Sequence, residues 1–136
     1  MAARIRAGAS GIALLALGLS LSGCGGSQDA SVADLAERFR GAVADGDGAA
    51  ACALLAPATR GELEQSTGKE CAAAILEEAP GARGEGGDVQ VFGTMAQVRG
   101  DVDTVFLTRM PDGWRVLAAG CAPRAKAPYE CAVKGA

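Results

Sequence analysis

The apolar residues of this chain change their spacing once, and that change limits the folds that the chain can adopt. In the first part they recur every three or four positions, as Val32, Leu35 and Phe39 do, which is typical of amphipathic helices. From Asp88 onward they alternate, which is typical of strands. A loop rich in proline and glycine, 80–87, separates the two parts. The order predicts an α+β domain with N-terminal helices packed on one face of a curved antiparallel sheet.

The individual elements follow from the same spacing and from turn residues. Helices are predicted over 31–44, 48–55, 58–65 and 69–79. In the first of them the apolar residues share one side, and the polar side carries Asp34, Glu37, Arg38 and Arg40. Strands are predicted over 88–92, 95–99, 102–110, 114–120 and 129–133, and Pro111-Asp112-Gly113 is a hairpin turn.

The N-terminus has the features of a bacterial lipoprotein leader. Arg4 and Arg6 give it a positive start, and the apolar run over 11–21 is too short to span a bilayer, which needs about 20 residues. The run ends in Leu-Ser-Gly-Cys24, which matches the lipobox pattern. In leaders of that family the cysteine is acylated and becomes the first mature residue. The alternative is an ordinary signal peptide followed by an incidental cysteine.

The lipobox interpretation determines the domain organisation and the cellular location that we expect for the protein. We expect a signal peptide over 1–23, a flexible tether over 24–30 and a folded domain over 31–136. Lipid on Cys24 would hold the protein on the extracytoplasmic face of the cell membrane, since two acyl chains anchor stably where one does not. The membrane is then the first expected partner.

Four cysteines remain after Cys24, and an even number in an exported chain predicts two disulfides. Three pairings exist. We favour Cys52–Cys71 and Cys121–Cys131, because each pair is local and flanks a turn-rich segment. The alternative is a metal site, but the spacings lack a C-x2-C pattern and the chain has no histidine. No metal or other cofactor is therefore predicted.

Charge and composition exclude several functional classes. The net charge is −3 and no basic stripe is present, so a nucleic-acid partner is not expected. The lack of histidine removes the commonest general base and every Ser-His or Cys-His pair. No catalytic residue is predicted.

Several segments resemble known proteins. Three segments resemble small uncharacterised lipoproteins of high-GC Gram-positive bacteria: FRGAVADGDGAAACALLAPATRGELE, KECAAAI and GWRVLAAGCAPRAKAPYEC. Together they cover roughly half of the mature chain. Helices followed by a curved sheet resemble the NTF2-like (cystatin-superfold, α+β cone) group. The resemblance implies that fold and the two disulfides. It implies no activity, because NTF2-like domains serve as isomerases, dehydratases and docking modules.

Five residues are candidates for a pocket or for the core. Asp103 and Arg109 share a strand face, and a buried aspartate there could act as a proton shuttle. Because Asp103 follows a turn and Arg109 precedes one, we expect both at exposed strand ends. Three aromatic residues could form the floor of a ligand pocket, although such residues more often belong to the hydrophobic core. They are Phe39, Phe106 and Trp114.

Two polar segments have simpler interpretations. Asp45-Gly46-Asp47-Gly48 lacks the further ligands of a calcium loop, so we expect a helix break in which Asp47 caps the next helix. Arg124 and Lys126 form a small basic spot in a loop that would suit partner contact.

The sequence alone is compatible with three functions. The favoured one is a membrane-anchored, non-catalytic domain that binds a partner protein or a small ligand. The second is a small cone enzyme, of isomerase or dehydratase type, acting on an apolar substrate. The third is an accessory module for cell-envelope machinery.

Overall fold

The computed structural model describes residues 25–79, 85–126 and 128–135. Within them the helices are α1 (Gly25–Ala44), α2 (Gly48–Ala53), α3 (Pro57–Thr67) and α4 (Cys71–Glu78). The strands are β1 (Asp88–Phe92), β2 (Met95–Arg99), β3 (Thr104–Met110), β4 (Gly113–Pro123) and β5 (Tyr129–Lys134). The predicted α+β class and the order of elements are confirmed, and the predicted bounds differ from these by a few residues.

The five strands form one open antiparallel sheet in the order β1-β2-β3-β4-β5. Each strand pairs with its neighbour in the chain, because short turns such as Gly93-Thr94 and Pro111-Asp112 join them. The register between β3 and β4 shifts twice, between Thr104 and Leu107. Such irregularities bend a strand and increase its twist, so β4 curves as it crosses the sheet.

The core lies between the helices and one face of the sheet. Side chains alternate between the two faces of a strand, so Val105 and Leu107 point toward the helices and are fully buried. Phe39 of α1 is also fully buried, and the helices contribute most of the remaining core, including Val32, Leu35, Leu63, Ala74 and Ile75.

Helix α1 begins earlier than predicted. Gly25, the first residue that the structure describes, already lies in it, so residues 25–30 are helical and the expectation of a flexible tether is wrong for them. Extending a helix that packing already holds adds one hydrogen bond for each residue fixed, so it costs far less than starting one. The Ser31 hydroxyl also donates to the Ser27 carbonyl at 2.9 Å in this first part of the helix. Cys24 and the leader 1–23 lie outside the described residues.

The helix ends follow the sequence closely. The Asp47 carboxylate accepts a hydrogen bond from the Ala50 backbone N–H at 3.0 Å, so the predicted cap of α2 is confirmed. Pro57 occupies the first turn of α3, where its missing N–H costs nothing. Gly68 ends α3 with φ of 67°, a left-handed conformation that glycine adopts without steric cost.

Both disulfides have the predicted pairing. Cys52–Cys71 joins α2 to α4, with 6.1 Å between the Cα atoms. Cys121–Cys131 joins β4 to β5 at positions that face each other in the ladder. The second bond joins two paired strands, because β4 continues through Cys121 to Pro123.

The contact between α2 and α4 depends on Gly48. A Cβ atom on this residue would lie 1.9 Å from the backbone carbonyl oxygen of Ala72. We expect Gly48→Ala to lower the free energy of unfolding by about 1–3 kcal/mol, because the two helices must move apart. Urea denaturation of the purified protein measures this change.

The control for Gly48→Ala is Gly61→Ala in α3, where nothing lies within 4 Å of the added Cβ. There the better helix propensity of alanine should stabilise the protein by up to about 1 kcal/mol. Equal effects of the two substitutions would contradict the close approach of α2 and α4.

Candidate functional site

A groove of about 410 Å³ runs between the first turns of α1 and the β3–β4 hairpin. Its walls combine charged, amide and apolar side chains, chiefly Gln28, Asp34, Leu35, Arg38, Arg109 and Trp114. The groove is open along its length, and two of the residues proposed from the sequence, Arg109 and Trp114, lie in it. Most of the lining side chains are polar, and Leu35 and Trp114 supply the apolar part.

Arg109 is held in place from three directions. Its Nη1 donates to Gln28 Oε1 at 3.0 Å, and its guanidinium carbon lies 5.7 Å from the centroid of the Trp114 ring. Its backbone N–H donates to the Thr94 carbonyl at 2.7 Å. Arg109 is exposed, so the prediction of an exposed strand end is confirmed for this residue.

Trp114 lies directly opposite Arg109 in the β3–β4 ladder, so the two side chains share the helix-facing side of the sheet. Trp114 is 7% exposed and belongs to the hydrophobic core, and one edge of it reaches the groove. Trp114 is therefore part of the hydrophobic core and also part of the groove wall, so both interpretations that the sequence left open apply to it.

Asp103 is buried, with 7% of its surface exposed, so the prediction of an exposed strand end is wrong for this residue. The cause is Arg40 of α1, which is only 2% exposed. Arg40 Nη2 lies 3.0 Å from Asp103 Oδ1, and Nη1 donates to the Gly86 carbonyl at 2.9 Å. Because the Arg40 side chain of α1 reaches the residue just before β3, it covers a carboxylate that a turn would otherwise leave in water.

Arg40 was placed on the polar side of the first helix, and that placement is also wrong. The signal that could have identified it is its spacing, since Arg40 follows Val32 and Ala36 at intervals of four on the buried side of α1. A charged residue within the apolar side of a helix predicts that a buried residue of opposite charge lies next to it. The sequence does not say which carboxylate supplies it.

The buried pair is incompletely satisfied. Arg40 Nε and Asp103 Oδ2 have no hydrogen-bond partner within the part of the chain that the structure describes. Buried polar atoms usually have partners, so these two mark a polar spot inside an apolar interface.

The three aromatic candidates do not meet. Phe39 and Trp114 lie in the core beneath the helices. Phe106 points to the opposite face of the sheet, where its ring packs edge-on against Tyr129 with 4.9 Å between centroids. They therefore do not line one common cavity, because neighbouring positions of β3 face opposite sides.

The remaining polar candidates lie on the surface. Arg124 and Lys126 are exposed, and Arg124 forms an ion pair with Glu130, which neutralises part of the basic spot. Among the described residues, no group of three or more cysteine, aspartate or glutamate side chains is arranged to hold a metal ion.

No protein-family model, curated protein or solved structure matches this chain. Within residues 25–79, 85–126 and 128–135, no helix is long and apolar enough to cross a membrane.

Proposed function

We propose that this protein is an exported lipoprotein, anchored by lipid on Cys24 to the extracytoplasmic face of the cell membrane, whose domain binds a partner protein or a small ligand without catalysing a reaction. The observation that carries the proposal is the cysteine pairing. Cys52–Cys71 and Cys121–Cys131 use four of the five cysteines, which suits an oxidising compartment. The fifth, Cys24, has no cysteine left in the chain to pair with and ends a lipobox.

The groove beside α1 is the binding surface in this proposal. Its Arg109 guanidinium is already oriented by Gln28 and Trp114, so little side-chain freedom is lost when a ligand binds. A cell-envelope protein with an acidic or amide-bearing segment, or a small ligand with an apolar body, fits these walls. The helices over a five-stranded antiparallel sheet support an NTF2-like relationship, which we include in the proposal.

Replacing Cys24 tests the anchor. In cells of a bacterium that acylates lipoproteins, we expect Cys24→Ala to move the protein from the membrane to the soluble fraction and to abolish palmitate labelling. The control is Gly26→Ala, at a position where nothing lies within 4 Å of the added Cβ. Persistent membrane attachment and labelling of Cys24→Ala would show that lipid is not carried there.

The same cells test the groove. Chemical cross-linking on intact cells should give a defined adduct with the unsubstituted chain, and Arg109→Glu should remove it by reversing the charge in the groove. Lys134→Glu makes the same charge change on an exposed residue of β5 and should leave the adduct in place. If both variants keep the adduct, binding does not use the groove.

The alternative, a small cone enzyme acting on an apolar substrate, is favoured by one observation. Asp103 is a buried carboxylate with one oxygen unpartnered among the described residues. Against it, the other oxygen is bound to Arg40, and Phe39, Phe106 and Trp114 line no common cavity. Turnover that disappears in Asp103→Asn while the fold is retained would favour the enzyme over the binding domain.

A further inference from the structure

One end of the domain gathers elements that are distant in the sequence. The β1–β2 and β3–β4 turns lie at this end, and the Arg109 backbone N–H joins them through the Thr94 carbonyl. The first turns of α1 lie here too, since Gln28 contacts Arg109 at 3.0 Å. We call this the turn end. At the far end, Arg40 of the same helix contacts Asp103, about 18 Å along the helix axis from Gln28.

Exposed apolar side chains mark the turn end. Phe92 is 62% exposed and Met95 is 39% exposed, and the two face each other across the β1–β2 turn. Both point to the side of the sheet away from the helices, because their neighbour Ala96 points into the core. Of the three exposed large hydrophobic residues in the described part of the chain, only Val102 lies at the far end.

The chain enters the domain at the turn end. Cys24 directly precedes Gly25, the first residue of α1, and consecutive Cα atoms are about 3.8 Å apart. A lipid on Cys24 would therefore bring this end, and no other, within a few ångströms of the bilayer. Once the domain is tethered so closely, weak contacts suffice, since docking becomes an intramolecular step.

We propose that the turn end rests on the membrane, with Phe92 and Met95 inserted among lipid head groups and the upper acyl chains. The inference depends on the lipid anchor proposed above. The long axis of α1 then leads away from the membrane surface, and the far end faces the aqueous side.

Two tryptophan substitutions test the orientation. Phe92→Trp and Val102→Trp place a reporter at opposite ends, on residues of similar exposure, 62% and 66%. The full chain, purified from membranes, is reconstituted into vesicles of phosphatidylcholine and phosphatidylglycerol with brominated acyl chains. Trp114 is common to both variants, so the unsubstituted protein supplies the baseline. Mass spectrometry of the same preparation reports whether Cys24 is acylated.

We expect bromine to quench the emission added by Phe92→Trp several-fold more than that added by Val102→Trp, because interfacial side chains lie roughly 5–10 Å into the boundary between head groups and acyl chains. Equal quenching at both ends, or none at either, on acylated protein overturns the docking and leaves the anchor standing. If bromine does not quench the emission of Phe92→Trp and cross-linking gives dimers, the docking is also overturned, and the surface is assigned to a second copy of the chain. A chain without lipid on Cys24 overturns the anchor and the docking together.

Discussion

Asp103→Ala is expected to lower the free energy of unfolding by about 3–5 kcal/mol, because it leaves the Arg40 guanidinium buried without its counter-charge. Arg40 is 2% exposed and sits between α1 and the start of β3. Urea unfolding of the purified protein, followed by circular dichroism, measures the loss.

A double substitution separates the cost of breaking the pair from its net value. Arg40→Met with Asp103→Leu removes both charges and fills similar space, and we expect a stability within about 1 kcal/mol of the original or above it. The unpartnered Arg40 Nε and Asp103 Oδ2 strengthen this expectation, since the original pair is itself incompletely hydrogen bonded among the described residues.

The control lies on the same helix. Arg38 and Asp34 form an ion pair at 2.9 Å with side chains 58% and 66% exposed. Asp34→Ala should cost no more than about 0.5 kcal/mol, because water screens an exposed pair of this kind. If Asp103→Ala costs as little as Asp34→Ala, the buried pair does not hold α1 to the sheet.

Removal of the Cys52–Cys71 bond is the second large effect that we expect. The bond closes a loop with a sequence separation of 19. Loss of such a constraint on the unfolded chain costs on the order of 3 kcal/mol. For a domain of this size that corresponds to a fall of about 10–15 °C in the melting temperature.

The structure gives a further reason for a large effect. Helices α2 and α4 have 6 and 8 residues, well below the roughly 12–15 residues at which isolated helices become even marginally stable in water. They depend on their mutual packing at Gly48, and the disulfide holds that packing together.

The double variant Cys52→Ala/Cys71→Ala avoids an unpaired thiol, and calorimetry measures its melting temperature. The matched comparison is Cys121→Ala/Cys131→Ala, whose bond has a sequence separation of 10 and joins strands that the β ladder already pairs. We expect a smaller fall there, because the closed loop is shorter. A melting temperature that stays unchanged when Cys52 and Cys71 are replaced would contradict the clamp.

The sequence was sufficient for the local structure. The bounds of β1 and β2 were predicted to the residue, and the Asp47 cap and both disulfides were predicted correctly. These features depend on spacing, turn residues and the proximity of cysteines along the chain, all of which are properties of neighbouring residues.

Only the tertiary structure decided which side chains meet across elements. The burial of Asp103 depends on Arg40, 63 residues earlier in the chain, and the position of Arg109 depends on Gln28. The path of α1 across the sheet sets both contacts, and a helix period determines which side is apolar without determining where the helix lies. For the same reason the sequence predicts Cys24 as the point of attachment, whereas the packing of α1 determines which end of the domain lies next to it.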